Sequence, residues 1–169
     1  MAGAARRIQG VRGRRFEMSA TTGAAVSGAE VVVAVDPARA FEAFTAEIDN
    51  WWKKDSPFWM DKDRRLGLRF EPYVGGRFIE VYDENGEGYE IGRITAWQPG
   101  ERLAYTWRQS DWPEDAITNV EITFEPVEDG TRLRMRQTGW ERVPGGLDIA
   151  KGYSEGAATL LAWYAESLG

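Results

Sequence analysis

The sequence predicts an α+β fold in which a bent antiparallel sheet of about seven strands wraps around one long C-terminal helix. Two short helices are expected after the first strand. Three observations carry the prediction. Residues 66–107 divide into short apolar runs separated by Gly75-Gly76, Asp83-Glu84-Asn85-Gly86 and Pro99-Gly100, the punctuation of consecutive antiparallel strands. Residues 117–138 hold two further runs that alternate apolar with polar side chains around Glu128-Asp129-Gly130. Residues 150–168 carry the only long stripe at helical spacing, through Tyr153, Ala157, Leu160, Leu161, Tyr164 and Leu168.

The chain begins with a compositional break. Its first 17 residues set Arg6, Arg7, Arg12, Arg14 and Arg15 against Glu17, a local charge of +4 that leaves −10 for the remainder of a chain whose total is −6. Few apolar side chains there offset the ordering entropy, so residues 1–28 are expected to be a disordered basic tail and residues 29–169 one folded domain. An arginine-rich, acid-poor start also fits a transit-like segment or a basic arm, although it lacks the apolar block of a secretory signal. Met18, followed by small and polar residues, is a candidate translation start, which leaves open whether residues 1–17 belong to the mature protein.

Val31 to Val35 is β-branched and forms the first strand. Asp36-Pro37 then starts a helix, with aspartate as N-cap and proline where its missing donor costs nothing. Phe41, Phe44, Ile48 and Trp51 line one face through two short helices broken near Asp49-Asn50. Trp51 and Trp52 point about 100° apart on a helix and cannot share one core slot. One packs in the core and the other is either half-exposed or set against a cavity. Lys53 to Leu66 reads as a charged loop, solvated or acting as a lid.

Leu66 to Phe70 and Arg77 to Tyr82 are strands joined through Gly75-Gly76, where glycine permits a sharp bend. Tyr89 to Trp97 and Leu103 to Trp107 follow, the latter placing Leu103, Tyr105 and Trp107 on one face. Val120, Ile122 and Phe124 face inward on the next strand, and Leu133, Met135 and Gln137 on the one after it. Glutamates then meet arginines on the outer face as cross-strand pairs. Gly152 and Gly156 each weaken the last helix by about 1 kcal/mol relative to alanine. That cost makes sense where the helix approaches the sheet closely or leaves room for something.

Composition limits the chemistry. A chain of 169 residues buries roughly 70% of the surface it would expose unfolded, enough for a sizeable core. It has no cysteine and no histidine, which excludes disulfides, thiolate nucleophiles, histidine-based triads and the common zinc sites. Carboxylates, tyrosines, lysines and arginines remain for proton transfer. The net charge of −6 disfavours nucleic acid and anionic membranes, and no apolar run approaches the roughly 20 residues of a membrane-spanning helix. A cytoplasmic location is expected, with no membrane insertion.

Particular motifs resemble a known family. Ile48-Asp49-Asn50-Trp51-Trp52, Phe70-Glu71-Pro72 with Gly75-Gly76-Arg77, Gly92-Arg93-Ile94, Pro99-Gly100-Glu101-Arg102-Leu103 through Trp107, and Gly130-Thr131-Arg132-Leu133 through Gly139-Trp140 are similar to the SRPBCC superfamily. Within it, residues 29–168 most resemble the domain named for the activator of the heat-shock-protein-90 ATPase, a START/Bet v-like relative of polyketide cyclases. The resemblance implies the helix-grip fold, with a hydrophobic cavity between sheet and long helix, but no single activity. Where relatives carry histidine this chain has Gln137, so any acid–base role at that position is absent. Where relatives carry glycine-tryptophan before the leucine pair, this chain has Gly156-Ala157. The missing indole enlarges the cavity or is replaced by Trp52 or Trp163.

The leading expectation is a binding module for a small hydrophobic or aromatic molecule. Its pocket is lined by Trp51 or Trp52, Phe70, Tyr82, Tyr105, Trp107, Trp140 and Tyr153, with Glu80, Glu90 and Gln137 as polar anchors. Eight tryptophans exceed what a core of this size needs. Neither metal nor cofactor is expected, and no residue is assigned a catalytic role. Two alternatives stand beside it. One is a cyclase or hydratase using Glu80 or Glu90 with Tyr82 or Tyr105 as base and acid. The other, implied by the family name, is a cochaperone-like interaction module with a chaperone partner. The chain is a monomer or a homodimer in any of these readings.

Overall fold

The computed structural model describes residues 25–169 together with the backbone of Arg14–Arg15. Strand β1 (Arg14–Arg15) is followed by β2 (Ser27–Val33), helix α1 (Pro37–Thr45) and a 3-10 turn at Ile48–Asn50. Strands β3 (Gly67–Phe70), β4 (Arg77–Val81), β5 (Gly88–Gln98), β6 (Arg102–Trp107), β7 (Thr118–Val127) and β8 (Gly130–Thr138) come next. A second 3-10 turn (Trp140–Arg142) leads into helix α2 (Gly146–Ser167). All strands join one antiparallel sheet in the order β1-β2-β8-β7-β6-β5-β4-β3. Seven strands and one long helix make the α+β helix-grip architecture, and the dipeptide β1 extends its edge by pairing with Ala29 and Glu30.

The sequence explains most of this. The Asp36 carboxylate caps α1 by accepting from the Arg39 N–H at 2.8 Å, with Pro37 at the first helical position. Its buried face, Phe41 and Phe44, packs onto Phe124, and the Tyr164 hydroxyl of α2 donates to the Ala40 carbonyl at 2.6 Å. The first strand runs from Ser27 rather than Val31. It takes in Gly28, which the sequence placed in the tail, because α2 passes close by and the Ser154 hydroxyl accepts from the Gly28 N–H. The rest of the expected tail, residues 1–13 and 16–24, lies outside the described residues.

The curvature arises somewhere other than expected. Gly75, at φ +90°, turns the β3–β4 connection, and Gly75 and Gly76 bond to the backbone of Ile94. The sheet itself bends in β5, whose register slips once against β4 and once against β6. As a result Ile91, Ile94 and Trp97 all join the core although they are spaced by three residues. The first half of β5 belongs with β4, the second with β6.

On the convex face the charged alternation forms ion pairs, Arg132 to Glu125 at 3.0 Å and Arg134 to Glu30 at 2.9 Å. No helix among the described residues is long and apolar enough to cross a membrane. A less exposed pair lies between β3 and β4, where Glu71 accepts from the Arg77 side chain at 3.0 Å and its backbone N–H at 2.8 Å. The Arg77 guanidinium, then that N–H, hold the Glu71 carboxyl below the usual carboxylate range. A depressed carboxyl stabilises the fold above its unfolded pKa and loses that contribution as pH falls through the folded value. Urea denaturation should therefore show stability declining below about pH 4. In Glu71→Gln the part of the decline due to this pair should be missing.

Candidate functional site

Between the concave face of the sheet and α2 lies a cavity of about 490 Å³. Strands β6, β7 and β8 form its wall through Tyr105, Trp107, Val120, Met135 and Gln137. β3, β4 and β5 add Leu68, Glu80 and Ile91, and Phe44, Ile48 and Trp52 close the end below α1. The helix side is formed by Gly152, Tyr153, Gly156, Ala157 and Leu160. A β-carbon at Gly152 would meet no atom within 4 Å, and one at Gly156 would touch only the Phe58 ring, at 3.7 Å. These glycines leave room; they do not bring helix and sheet together.

The segment 53–66 is part of the site. Phe58, Trp59 and Met60 line the cavity from this side, joined at the mouth by Gln109, Asp111 and Trp112 from the β6–β7 connection. Glu80 anchors the segment. Only 2% exposed, its carboxylate accepts from the backbone N–H groups of Met60 at 2.8 Å and Asp61 at 2.9 Å, and from the Tyr82 hydroxyl at 2.7 Å. The Trp52 indole N–H donates to the Phe58 carbonyl and that of Trp59 to the Lys53 carbonyl, fixing both rings.

Six of the predicted site residues line the cavity together: Trp52, Glu80, Tyr105, Trp107, Gln137 and Tyr153. The remaining five do not. Trp51 packs in the core against Phe44 and Tyr164, its indole N–H donating to the Ala43 carbonyl, and borders a separate polar cleft of about 430 Å³. Phe70 stacks on Phe78 at 4.1 Å behind Tyr105. Tyr82 is held outside by Glu80 and covered by Arg64. Trp140 is fully buried in a second small core with Trp112 and Tyr153. Glu90 stands opposite Ile79, on the outer face, and pairs with Arg93 at 3.0 Å. The slip in β5 puts Ile91 inside in its place.

Among residues the sequence reading left out, Phe58, Trp59 and Met60 had a visible signal: with Pro57 they are four consecutive apolar residues inside a charged loop. Gln109 and Trp112 had none.

Burial sets the protonation of the wall. It pushes the Tyr105 hydroxyl upward and the Tyr153 hydroxyl up to about 12, so both remain neutral donors at physiological pH. Tyr153 is fully engaged, donating to the Gln109 amide oxygen at 2.6 Å and accepting from the Trp107 indole at 3.1 Å.

The model of the activator of Hsp90 ATPase homolog 1-like proteins matches residues 34–163. The chain belongs to this family. The AHSA1-like fold recurs in solved structures. The anthrahydroquino-γ-pyrone synthase Txn09, in complex with SUM, is 32% identical, with a TM-score of 0.56 over 84% of this chain and 96% of that one. The Mll3558 protein of Rhizobium loti is 24% identical, with a TM-score of 0.63 over 86% and 97%. The Aha1 dimer of Colwellia psychrerythraea is 18% identical, with a TM-score of 0.61 over 85% and 95%. No curated protein sequence matches the chain.

Proposed function

We propose that this AHSA1-like domain binds a small hydrophobic, predominantly aromatic molecule in the chamber between sheet and α2. The observation that carries the reading is the hollow at Gly152 and Gly156. A helix that bears two unfavourable residues on its cavity side, one open at the mouth and the other met only by the edge of the Phe58 ring, is shaped around a guest. The chamber lies within the range of drug-sized ligand sites, and rings from Trp52, Trp59, Tyr105 and Trp107 suit a flat, polarisable occupant.

A second reading, ring closure of a polyketide-like substrate, is favoured by the likeness to Txn09, which is named as a synthase. Such catalysis would rest on holding the substrate and on donation from the neutral Tyr105 hydroxyl, since the Tyr153 proton is committed to Gln109. Glu80 already accepts three hydrogen bonds, and Glu90 faces away. The planar hydrocarbon phenanthrene tests the binding reading directly. Titration should quench the intrinsic tryptophan fluorescence saturably with a Kd of about 1 μM or below. No saturable change up to the solubility limit would refute it.

A further inference from the structure

We infer that the ligand carries two oxygen functions, a carbonyl that accepts from Tyr105 and a hydroxyl that donates to Gln137, as in a hydroxylated fused-ring quinone. This inference rests on the binding reading above and specifies its chemistry. Tyr105 and Gln137 are 5% and 7% exposed and both line the cavity. They stand in register on either side of Val120, with Tyr105 paired to it from β6 and Gln137 from β8. Two strand spacings separate their Cα atoms by roughly 9 to 10 Å.

Their polar atoms differ from the other buried polar atoms of the chamber. The Glu80 oxygens are taken by two amides and a phenol, whereas the Tyr105 hydroxyl has no hydrogen-bond partner among the described residues. A buried donor without a partner is costly to maintain. The Gln137 amide is oriented by its neighbours. The Thr118 hydroxyl commits its only proton to the Trp107 carbonyl at 2.9 Å, so it can only accept from glutamine, and the Gln137 Nε2 donates to it at 2.9 Å. That fixes the Gln137 amide oxygen as the free acceptor at the cavity wall. The neutral Tyr105 phenol calls for an acceptor on the ligand, and the amide oxygen calls for a donor. An aromatic ring system bearing both a carbonyl and a phenolic hydroxyl satisfies the two at once.

Three probes separate the terms by fluorescence titration of the full chain: phenanthrene with no oxygen, 2-methylanthraquinone with carbonyls only, and 2-hydroxyanthraquinone with both functions. Tyr105→Phe should weaken both quinones about fivefold to tenfold, and Gln137→Leu should weaken only the hydroxylated one to that extent. Phenanthrene affinity should be unchanged in both variants, which also reports that the chamber is intact. Tyr105→Phe should melt no lower than the parent, since the hydroxyl it loses has no partner to orphan. If phenanthrene binds while neither variant discriminates among the quinones, the ligand class is wrong and the cavity reading survives. If phenanthrene does not bind the parent protein, both readings fall together.

Discussion

Glu80→Ala should cost about 3 to 5 kcal/mol of stability in urea denaturation, the largest effect of any single substitution near the site. The carboxylate is buried near the end of β4 and accepts from the Met60 and Asp61 amides and the Tyr82 hydroxyl. Truncation leaves those donors without a partner in a place that solvent reaches poorly, and hydrogen bonds to a charged acceptor are the stronger kind. Phe58, Trp59 and Met60 ride on the same segment, so the variant should also lose phenanthrene binding. Glu80→Gln keeps the shape but offers one acceptor oxygen in place of two, and should lie between the two proteins. A Glu80→Ala variant within 1 kcal/mol of the parent would show that the segment is held by its aromatic contacts instead.

Gly156→Leu should do the opposite to stability. Leucine is a far better helix former than glycine, so the fold should gain about 0.5 to 1 kcal/mol, less any cost of pressing on Phe58. The same side chain would project into the chamber, and phenanthrene affinity should fall at least about a hundredfold. Equilibrium denaturation and ligand titration on one preparation check both signs. A stable variant that still binds as the parent does would place the guest elsewhere. Substitution at Gly152, which is exposed at the mouth, should have a smaller effect on binding.

What could be read beforehand follows from what leaves a trace along a chain. Strand order, the Asp36-Pro37 helix start and the stripe of α2 are local signals, and each appears within a residue or a few of its expected position. The inward set of β6 and β8 was equally plain, because those strands keep a regular period of two. β5 does not. Its two slips put Ile91, Ile94 and Trp97 on one side, so a strict alternation sends Glu90 to the wrong face. Glu80 was recognisable as an inward acid and expected to anchor a ligand, but not to anchor residues 53–66, since its main donors are backbone amides with no signature in side-chain identity. The glycines of α2 announced an anomaly. Choosing between contact and empty space required knowing that Phe58 alone comes near.

The divided loyalty of β5 has a mechanical consequence. Gly88–Arg93 pair with β4 and Ile94–Gln98 with β6, so β5 joins the two ends of the sheet, stitched by the Arg108 N–H to the Ile91 carbonyl and by Ile94 to Gly75 and Gly76. Bulges interrupt a ladder, so bending there breaks fewer bonds than bending elsewhere in the sheet. One end carries Leu68 and Glu80, the other Tyr105 and Gln137, and the chamber lies between both and α2. Strain on the cup falls first on this stretch of β5, where the wall bearing Leu68 and Glu80 meets the wall bearing Tyr105 and Gln137.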